Sequence, residues 1–534
     1  METDTNSLTW PTDERRLLSL AAHPATAVFP IFRYAAAMTP LVVLLALLPP
    51  LWAVQTAGIS DPAALWGMRA LEVSSAQSVE GLLDPGRGRR DVPFRFQPPL
   101  MTWLTAATLA GARTVGEDGL WVAAWICTAG LIGAVFLLAR RFGGPELALV
   151  VTVLSASHPQ ILSLAQAPFP HALSLCLMLL AATALLAHLE LGASAVTKWM
   201  LGAGMALAGG LLAGGPVAAV VWCLLSLYLL ILLTPWGRSR AHDVGLDFER
   251  ALGNAWRPIL LLGATAFAFG GWWELMMASD YGLEFWSDWL AVLPIGPWGA
   301  IESEPRVTPI GPLASSMCTL MPFLLGFLLL GIWRMLREVA SGATAAARQH
   351  GLFIFLWAAC GLVLWKMAAN HPSTGVGTRL LWQNFVLLPF TLCAALGVLD
   401  IAERRVGLGV ALAAFLVTGA SVLWYFREVW SRSHNPYFDL GLLFAFVLLT
   451  SAALWHLHQQ LRGNDARQRW LLGGGIALIL SANFVHGMTA VSNADSDDRE
   501  LTVFRDDLMR FGTVSRVTVV SSEEPPLALR YVIR

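Results

Sequence analysis

Charge is what this sequence has least of. Only 13% of its 534 residues are Asp, Glu, Lys or Arg, about half the share of an ordinary soluble domain. A deficit of that size excludes a water-soluble globular chain of this length. The charges also nearly cancel, to −1, and a chain without a basic surplus is not built to bind nucleic acid. A glycine-rich phosphate loop of the nucleotidase type is missing, which argues against a nucleotide-driven pump. Internal repeats of the kind found in many secondary transporters are missing too. Cysteine is scarce. The six present (Cys127, Cys176, Cys223, Cys318, Cys360, Cys393) sit inside apolar blocks, none at metal-ligand spacing, and read as small buried hydrophobes. The first 30 residues are polar, with Asp13, Glu14, Arg15 and Arg16, and lack the short apolar core and cleavage site of a secretory signal. The first span is therefore expected to stay as an anchor.

What is present is apolar residues in long blocks. They make up 56% of the chain, with 23 Trp and a mean hydropathy of +0.60. Blocks of about 18 residues or more are long enough to cross roughly 30 Å of hydrocarbon as helix. Without strict alternation they are helices rather than barrel strands. Spans are expected at 33–54, 119–139, 144–161, 171–190, 198–213, 216–234, 257–278, 312–334, 351–367, 381–400, 406–426, 437–457 and 470–489. Lysine and arginine then alternate in density between successive loops. The rich side holds Arg140/Arg141, Lys198, Arg238/Arg240/Arg250, Arg334/Arg337/Arg348, Arg404/Arg405 and Arg462/Arg467/Arg469. That side is cytoplasmic by the positive-inside rule, with the N-terminus, and the C-terminal tail lies outside.

Three expected external segments stand out. The loop from 55 to 118 holds an amphipathic stretch, Ala63 to Val79, then an arginine-rich patch. It ends in a short apolar run reaching Ala112. That run is brief for a span and reads as a helix lying at the interface or re-entering it. The loop from 279 to 311 is rich in tryptophan and acids. The tail from 490 to 534 alternates like a strand at Val514–Val520, which suits a small α/β cap. The expected fold is thus an all-α polytopic membrane protein of about thirteen spans with that cap. Its parts are a cytoplasmic segment 1–32, a membrane domain 33–489 and the external unit 490–534.

The first loop carries a specific resemblance. Ile59-Ser60-Asp61-Pro62 through Arg69-Ala70-Leu71-Glu72 opens it, and Gln97-Pro98-Pro99-Leu100-Met101-Thr102-Trp103-Leu104 closes it. In that order these segments resemble the bacterial GT-C glycosyltransferases, the aminoarabinose-transferase and protein-mannosyltransferase-like group (dolichyl-phosphate-mannose-protein type). Leu138-Ala139-Arg140-Arg141-Phe142-Gly143-Gly144 resembles the family's basic turn. Gly209–Pro216 resembles its Gly-Leu-x-x-x-Lys-Gly-Pro turn, and Gly271-Trp272-Trp273 its Pro-Trp-Tyr. The departures are equally definite. The family's Asp-Glu is Asp61-Pro62 here, its lysine before Gly-Pro is Gly214, and Ala165–His171 holds no aspartate. The family's Lys…Tyr segment near the ninth span is met only loosely, by Lys366, His371 and Arg379.

The resemblance implies transfer of a sugar from a polyprenyl-phosphate carrier to a lipid, protein or glycan acceptor on the outer face of a bacterial inner membrane. No cofactor is expected, and a divalent cation is left open. Such a reaction needs a carboxylate to take the acceptor's proton and donors to hold the leaving phosphate. Asp61 matches the family's acidic position as general base, though Asp61 before Pro62 also reads as a helix cap. Carrier-phosphate contacts are expected from Arg69, Arg87, Arg89, Arg90, Lys366, His371 and Arg379. Arg69 and Glu72 also read as a simple surface pair, and Lys366 and Arg379 as span-end residues reaching for the interface. Glu72, His171 and Glu274 are secondary candidates; Glu274 falls late in a span, where an acid is costly. Two other readings stand beside the enzyme: a non-catalytic GT-C-like scaffold subunit, and a transporter of lipid or amphiphile.

Overall fold

The computed structural model describes residues 35–56, 61–84, 96–111, 117–166, 168, 170–191, 196–234, 256–291, 293, 317–318, 320–341, 345–370, 376–402, 405–430, 475–477 and 479–486. The segment 1–32, the span expected at 437–457 and the tail 490–534 lie outside them. Every other expected span meets a helix or a helix pair. In chain order these are α1 (Ala35–Ala46), α2 (Leu48–Thr56), α3 (Asp61–Ser74), α4 (Val79–Leu83), α5 (Leu100–Gly111), α6 (Glu117–Ala156) and α7 (Pro159–Ser163). They continue as α8 (Pro170–Leu191), α9 (Val196–Gly214), α10 (Pro216–Leu233), α11 (Trp256–Gly270), α12 (Trp272–Tyr281) and α13 (Leu283–Ala291). The last are α14 (Leu325–Ser341), α15 (Ala345–Asn370), α16 (Val376–Ala402) and α17 (Leu408–Trp430). An apolar helix at Gly475–His486 follows.

Among the described residues, four helices are long and apolar enough to cross a membrane, and the bent pair α11–α12 would make a fifth. One of the four counts double. Its 38 residues, Gly119–Ala156, would stretch roughly 57 Å as one straight helix, about twice the hydrocarbon thickness. Gly143 (φ −151°, ψ 22°) and Gly144 (φ 76°, ψ −169°) break it, and at Gly144 only glycine takes that backbone without strain. Trp121 near its start and Leu162 beyond its end share one small buried cluster, so the chain doubles back at the break. The Arg140-Arg141-Phe142-Gly143-Gly144 turn expected from sequence is this reversal. The span expected at 312–334 is interrupted: residues 317–318 and 320 are helical, 321–324 form a turn, and α14 starts at Leu325.

The helices pack as two groups, α6, α8, α9 and α11 in one, and α14, α15, α16 and α17 in the other, with α6 also touching α16. In the second group the backbones approach closely. A Cβ at Gly331 would lie 1.7 Å from the Cys393 carbonyl oxygen, and one at Gly397 2.1 Å from that of Phe327. Small residues that let backbones meet are the usual means of association where lipid removes the hydrophobic drive. Hydroxyls inside the bundle turn back on their own helices: Thr152 donates to Ala148 at 2.6 Å, Thr183 to Leu179 at 2.7 Å, Thr391 to Leu387 at 2.9 Å. The perimeter is apolar, with Leu44, Leu230, Phe267, Trp333 and Leu416 all exposed. Such a surface belongs against acyl chains. Three cysteines (Cys127, Cys176, Cys393) are buried, Cys318 and Cys360 half-buried, and Cys223 is on the exposed perimeter.

The tight crossing yields the first prediction. Gly331→Ala forces α14 and α16 apart and lowers stability by about 1–3 kcal/mol, seen as a lower thermal midpoint in detergent. Gly133→Ala, where an added Cβ meets nothing within 4 Å, does not lower the midpoint and raises it slightly, since alanine is the better helix former.

Candidate active site

Among the candidates whose side chains are described, Arg69 and Glu72 meet at one end of the bundle, the loop end, and Glu274 lies on the helix tied to it. Asp61 opens α3, and Pro62 behind it suits a first turn, where its missing N–H leaves nothing unpaired. Two turns on, Arg69 is 5% exposed and its guanidinium carbon lies 5.7 Å from the centre of the Trp66 ring. Burial pushes this guanidinium down to about 10, against the opposing pull of the Glu72 and Asp84 carboxylates. Arg69 and Glu72 are therefore more than a solvated surface pair. A third group, Asp84, sits with them.

Asp84 ends α4 and is buried. Its carboxylate accepts a hydrogen bond from the Tyr281 hydroxyl at the far end of α12. Two indoles fasten the same strip of chain: Trp103 Nε1 donates to the Leu82 carbonyl at 2.8 Å, and Trp273 Nε1 to the Leu83 carbonyl at 2.9 Å. Phe96 completes the joint, its ring 4.9 Å from Tyr281 and 5.6 Å from Phe285 between centroids. The first loop is thereby tied to α12 and α13. Sequence reasoning missed Asp84 and Tyr281. The one local signal was Asp84 before Pro85, a helix-closing pair, and nothing there points to a partner 197 residues away.

Glu274 is placed differently from expectation. The axis bends by 58° between α11 and α12, so Glu274 lies past the bend, in the first turn of α12. Gly270 and Gly271 make the bend tight: a Cβ on Gly270 would sit 2.6 Å from the Ala208 carbonyl oxygen. Trp273, Glu274 and Met277 are the buried residues of α12, and Tyr281 follows Met277 by one turn. This is the face turned to Leu83–Asp84. Glu274 is 4% exposed, and neither carboxyl oxygen has a hydrogen-bond partner.

The turn at Gly214-Gly215-Pro216 reaches the same end. Gly215 (φ 57°) lies beside Pro98 and the Trp289 indole. A Cβ on Gly214 would fall 2.2 Å from Ser174 Oγ, so the first turn of α8 occupies the space that the family's lysine would need. Glycine at 214 is a consequence of this packing. His171, half-buried, is the second residue of α8. Lys366 is half-buried near the end of α15, its Nζ 5.4 Å from the centre of the Trp365 ring. Arg87, Arg89, Arg90 and His371 lie outside the described residues, as do the side chains of Asp61 and Arg379. No cluster of three or more His, Cys, Asp or Glu suited to a metal occurs among the described residues.

A second polar cluster escaped the sequence reading. His158, just past the end of α6, is buried. Its Nε2 meets the Leu320 carbonyl at 2.9 Å and its Nδ1 accepts from the Gln160 N–H at 3.2 Å. Asn483 donates to Ser157 Oγ at 2.9 Å, and the His486 ring packs between Phe323 and Tyr425, centroids 5.3 and 5.0 Å away.

Neither a family model nor a curated relative matches this sequence. Solved structures do. The chain superposes on crystal structures of ArnT from Cupriavidus metallidurans. With undecaprenyl phosphate bound the TM-score is 0.59 at 14% identity; in the apo state it is 0.58 at 16%. Both alignments cover 93% of this chain and 84% of that one. An oligosaccharyltransferase of Archaeoglobus fulgidus aligns less well, at a TM-score of 0.48 and 11% identity, over 87% of this chain and 59% of that one. The chain therefore shares the fold of these ArnT structures, and its described residues include four helices long and apolar enough to cross a membrane, or five with the bent pair.

One outcome follows from this geometry. Tyr281→Phe leaves a buried carboxylate short of its donor, and costs about 1–3 kcal/mol of stability, read as a lower thermal midpoint; Asp84→Asn in the same background recovers part of it.

Proposed function

We propose that this protein is an integral-membrane glycosyltransferase that moves a sugar from a polyprenyl-phosphate carrier to an acceptor on the extracytoplasmic face. The observation that carries the reading is the superposition over 93% of the chain on an ArnT structure holding undecaprenyl phosphate. Such a carrier reaches the site along the apolar perimeter, with its phosphate at the polar loop end.

The chemistry asks little of the protein beyond a base and a cationic cradle. The acceptor hydroxyl attacks the anomeric carbon, the bond from that carbon to the carrier phosphate breaks, and its electron pair leaves with the phosphate. Asp61, at the start of α3, takes the hydroxyl proton. Arg69 is held charged by Glu72 and Asp84, which suits it to orient the phosphate rather than to trade protons. Arg87, Arg89, Arg90, Lys366, His371 and Arg379 supply the remaining donors in this reading. The acceptor is a lipid, protein or glycan of the cell envelope, and the membrane is the bacterial inner membrane, with the N-terminus cytoplasmic and the tail external.

One observation favours a second reading, a non-catalytic scaffold of the same fold. The family's lysine at 214 has no room beside Ser174, and the 165–171 loop holds no aspartate. The two readings separate on Asp61. Purified membranes receive a pool of radiolabelled polyprenyl-phosphate sugars with whole envelope extract as acceptor. Wild type transfers label, and Asp61→Asn lowers transfer by roughly 10²- to 10⁴-fold without changing its thermal midpoint. A wild type that moves no label, where a catalysing GT-C enzyme does under the same conditions, overturns the transferase reading and leaves the scaffold and transporter readings.

A further inference from the structure

The loop end holds more unpartnered polar atoms than the roles above use. Glu274 is the one carboxyl among the described residues whose two oxygens are buried without a hydrogen-bond partner. Burying a carboxyl in this way costs several kcal/mol unless something else meets it. Gln97 Oε1 and Trp289 Nε1 are likewise buried and unpartnered. These groups border one aromatic cluster. Trp273, adjacent to Glu274, packs on Phe285 at 5.9 Å between centroids. Phe96, adjacent to Gln97, packs on Phe285 at 5.6 Å. Trp289 is one turn along α13 from Phe285 and meets Trp286 edge-on at 5.5 Å. The inventory is thus three unused acceptor atoms and one unused donor against a wall of rings.

That combination selects among ligand chemistries. A phosphate is repelled by Glu274. A lone ammonium satisfies the carboxyl and leaves the indole N–H idle. An acyl chain uses the rings and none of the polar atoms. A sugar ring uses all of them: its hydroxyls donate to the carboxylate and the amide, one of its oxygens accepts from the indole, and its C–H face lies on an aromatic ring. We infer that Glu274, Gln97 and the Trp289 indole form the subsite that binds the hydroxyls of the carrier-linked sugar, with the tryptophans of α13 covering its apolar face. The inference rests on the glycosyltransferase reading and adds to it where the sugar sits. It gives the 58° bend a role, because an unbent α11–α12 would carry Glu274 on along the span, away from Phe96 and Leu83.

The test is equilibrium binding to the full-length protein in nanodiscs, by microscale thermophoresis. The probes are undecaprenyl phosphate alone, and undecaprenyl phosphate carrying each of a panel of neutral and amino hexoses and pentoses. Wild type binds at least one sugar-bearing carrier roughly tenfold more tightly than the bare carrier, the worth of a charged hydrogen bond. Glu274→Gln, which keeps the shape, and Trp289→Phe, which keeps an aromatic ring but loses the N–H, bring that preference down to about twofold or less. Both leave the affinity for undecaprenyl phosphate unchanged, and Glu274→Gln does not lower the thermal midpoint. If wild type binds neither form, the transferase reading fails and the subsite with it. If the bare carrier binds and no sugar adds to it, the subsite alone is overturned. A Glu274→Gln variant that keeps the full preference overturns it as well, whatever its stability.

Discussion

Hydrocarbon offers a polar group no partner, and that constraint shapes every polar position in this bundle. Hydroxyls at Thr152, Thr183 and Thr391 satisfy themselves on the preceding turn of their own helices. Asn384 does the same through its amide, to the Leu380 carbonyl at 2.9 Å. The buried Asp400 of the second helix group is met by the part-exposed Arg334 at 2.6 Å, which also bonds Glu338 at 2.8 Å. Removing Arg334 is costly, because it leaves Asp400 buried without its partner. A buried carboxyl that does none of these things, such as Glu274, then becomes informative. Neutral orphans such as Ser226 or Trp357 are scattered singly along the helices and are cheaper to tolerate.

The same constraint explains how the loop end is held. Leu82 and Leu83 end α4 and Asp84 caps it, and the last carbonyls of a helix must find donors outside it. They find them in side chains from two distant segments, Trp103 on α5 and Trp273 on α12. Indoles suit this, since each brings a donor and a large apolar body to one joint. The bend at Gly270–Gly271 presents Trp273, Glu274, Met277 and Tyr281 to that strip together. Movement of the first loop therefore requires movement of α12, and a substrate that orders one orders the other.

Hydropathy made the spans legible because a membrane helix reports itself in one continuous block. The reversal at Gly143–Gly144 was legible for a local reason, two arginines and two glycines at a point where the block would otherwise be too long. The interruption before α14 was not, since 312–324 is as apolar as the helix that follows. Arg69 was visible from its place in a motif, but its burial was not, because Trp66 and Asp84 close over it only in three dimensions. Asp84 with Tyr281, and His158 with Leu320, lie far beyond any local pattern. Glu274 was legible as an acid in an apolar block. Its true setting depended on a bend that two glycines permit and that only the approach of Gly270 to Ala208 makes necessary.

A shared backbone at 14% identity leaves the charges free to differ. Where the resemblance expects a lysine, Gly214 lets Ser174 of α8 come within touching distance. Where it expects an aspartate, 165–171 brings none. Yet the loop end is not depleted of charge. Arg69 is sunk beside two carboxylates, Asp84 is held by a tyrosine, and Glu274 is buried without a partner. A chain released from the demands of catalysis would be expected to shed such groups first, because each costs stability and an apolar residue of similar volume would stabilise the fold. In this chain they lie in one layer, joined to the first loop by two indoles. They are the groups that the proposed transferase reading puts to use, at the end of the bundle where Ser174 of α8 packs against Gly214 at the end of α9.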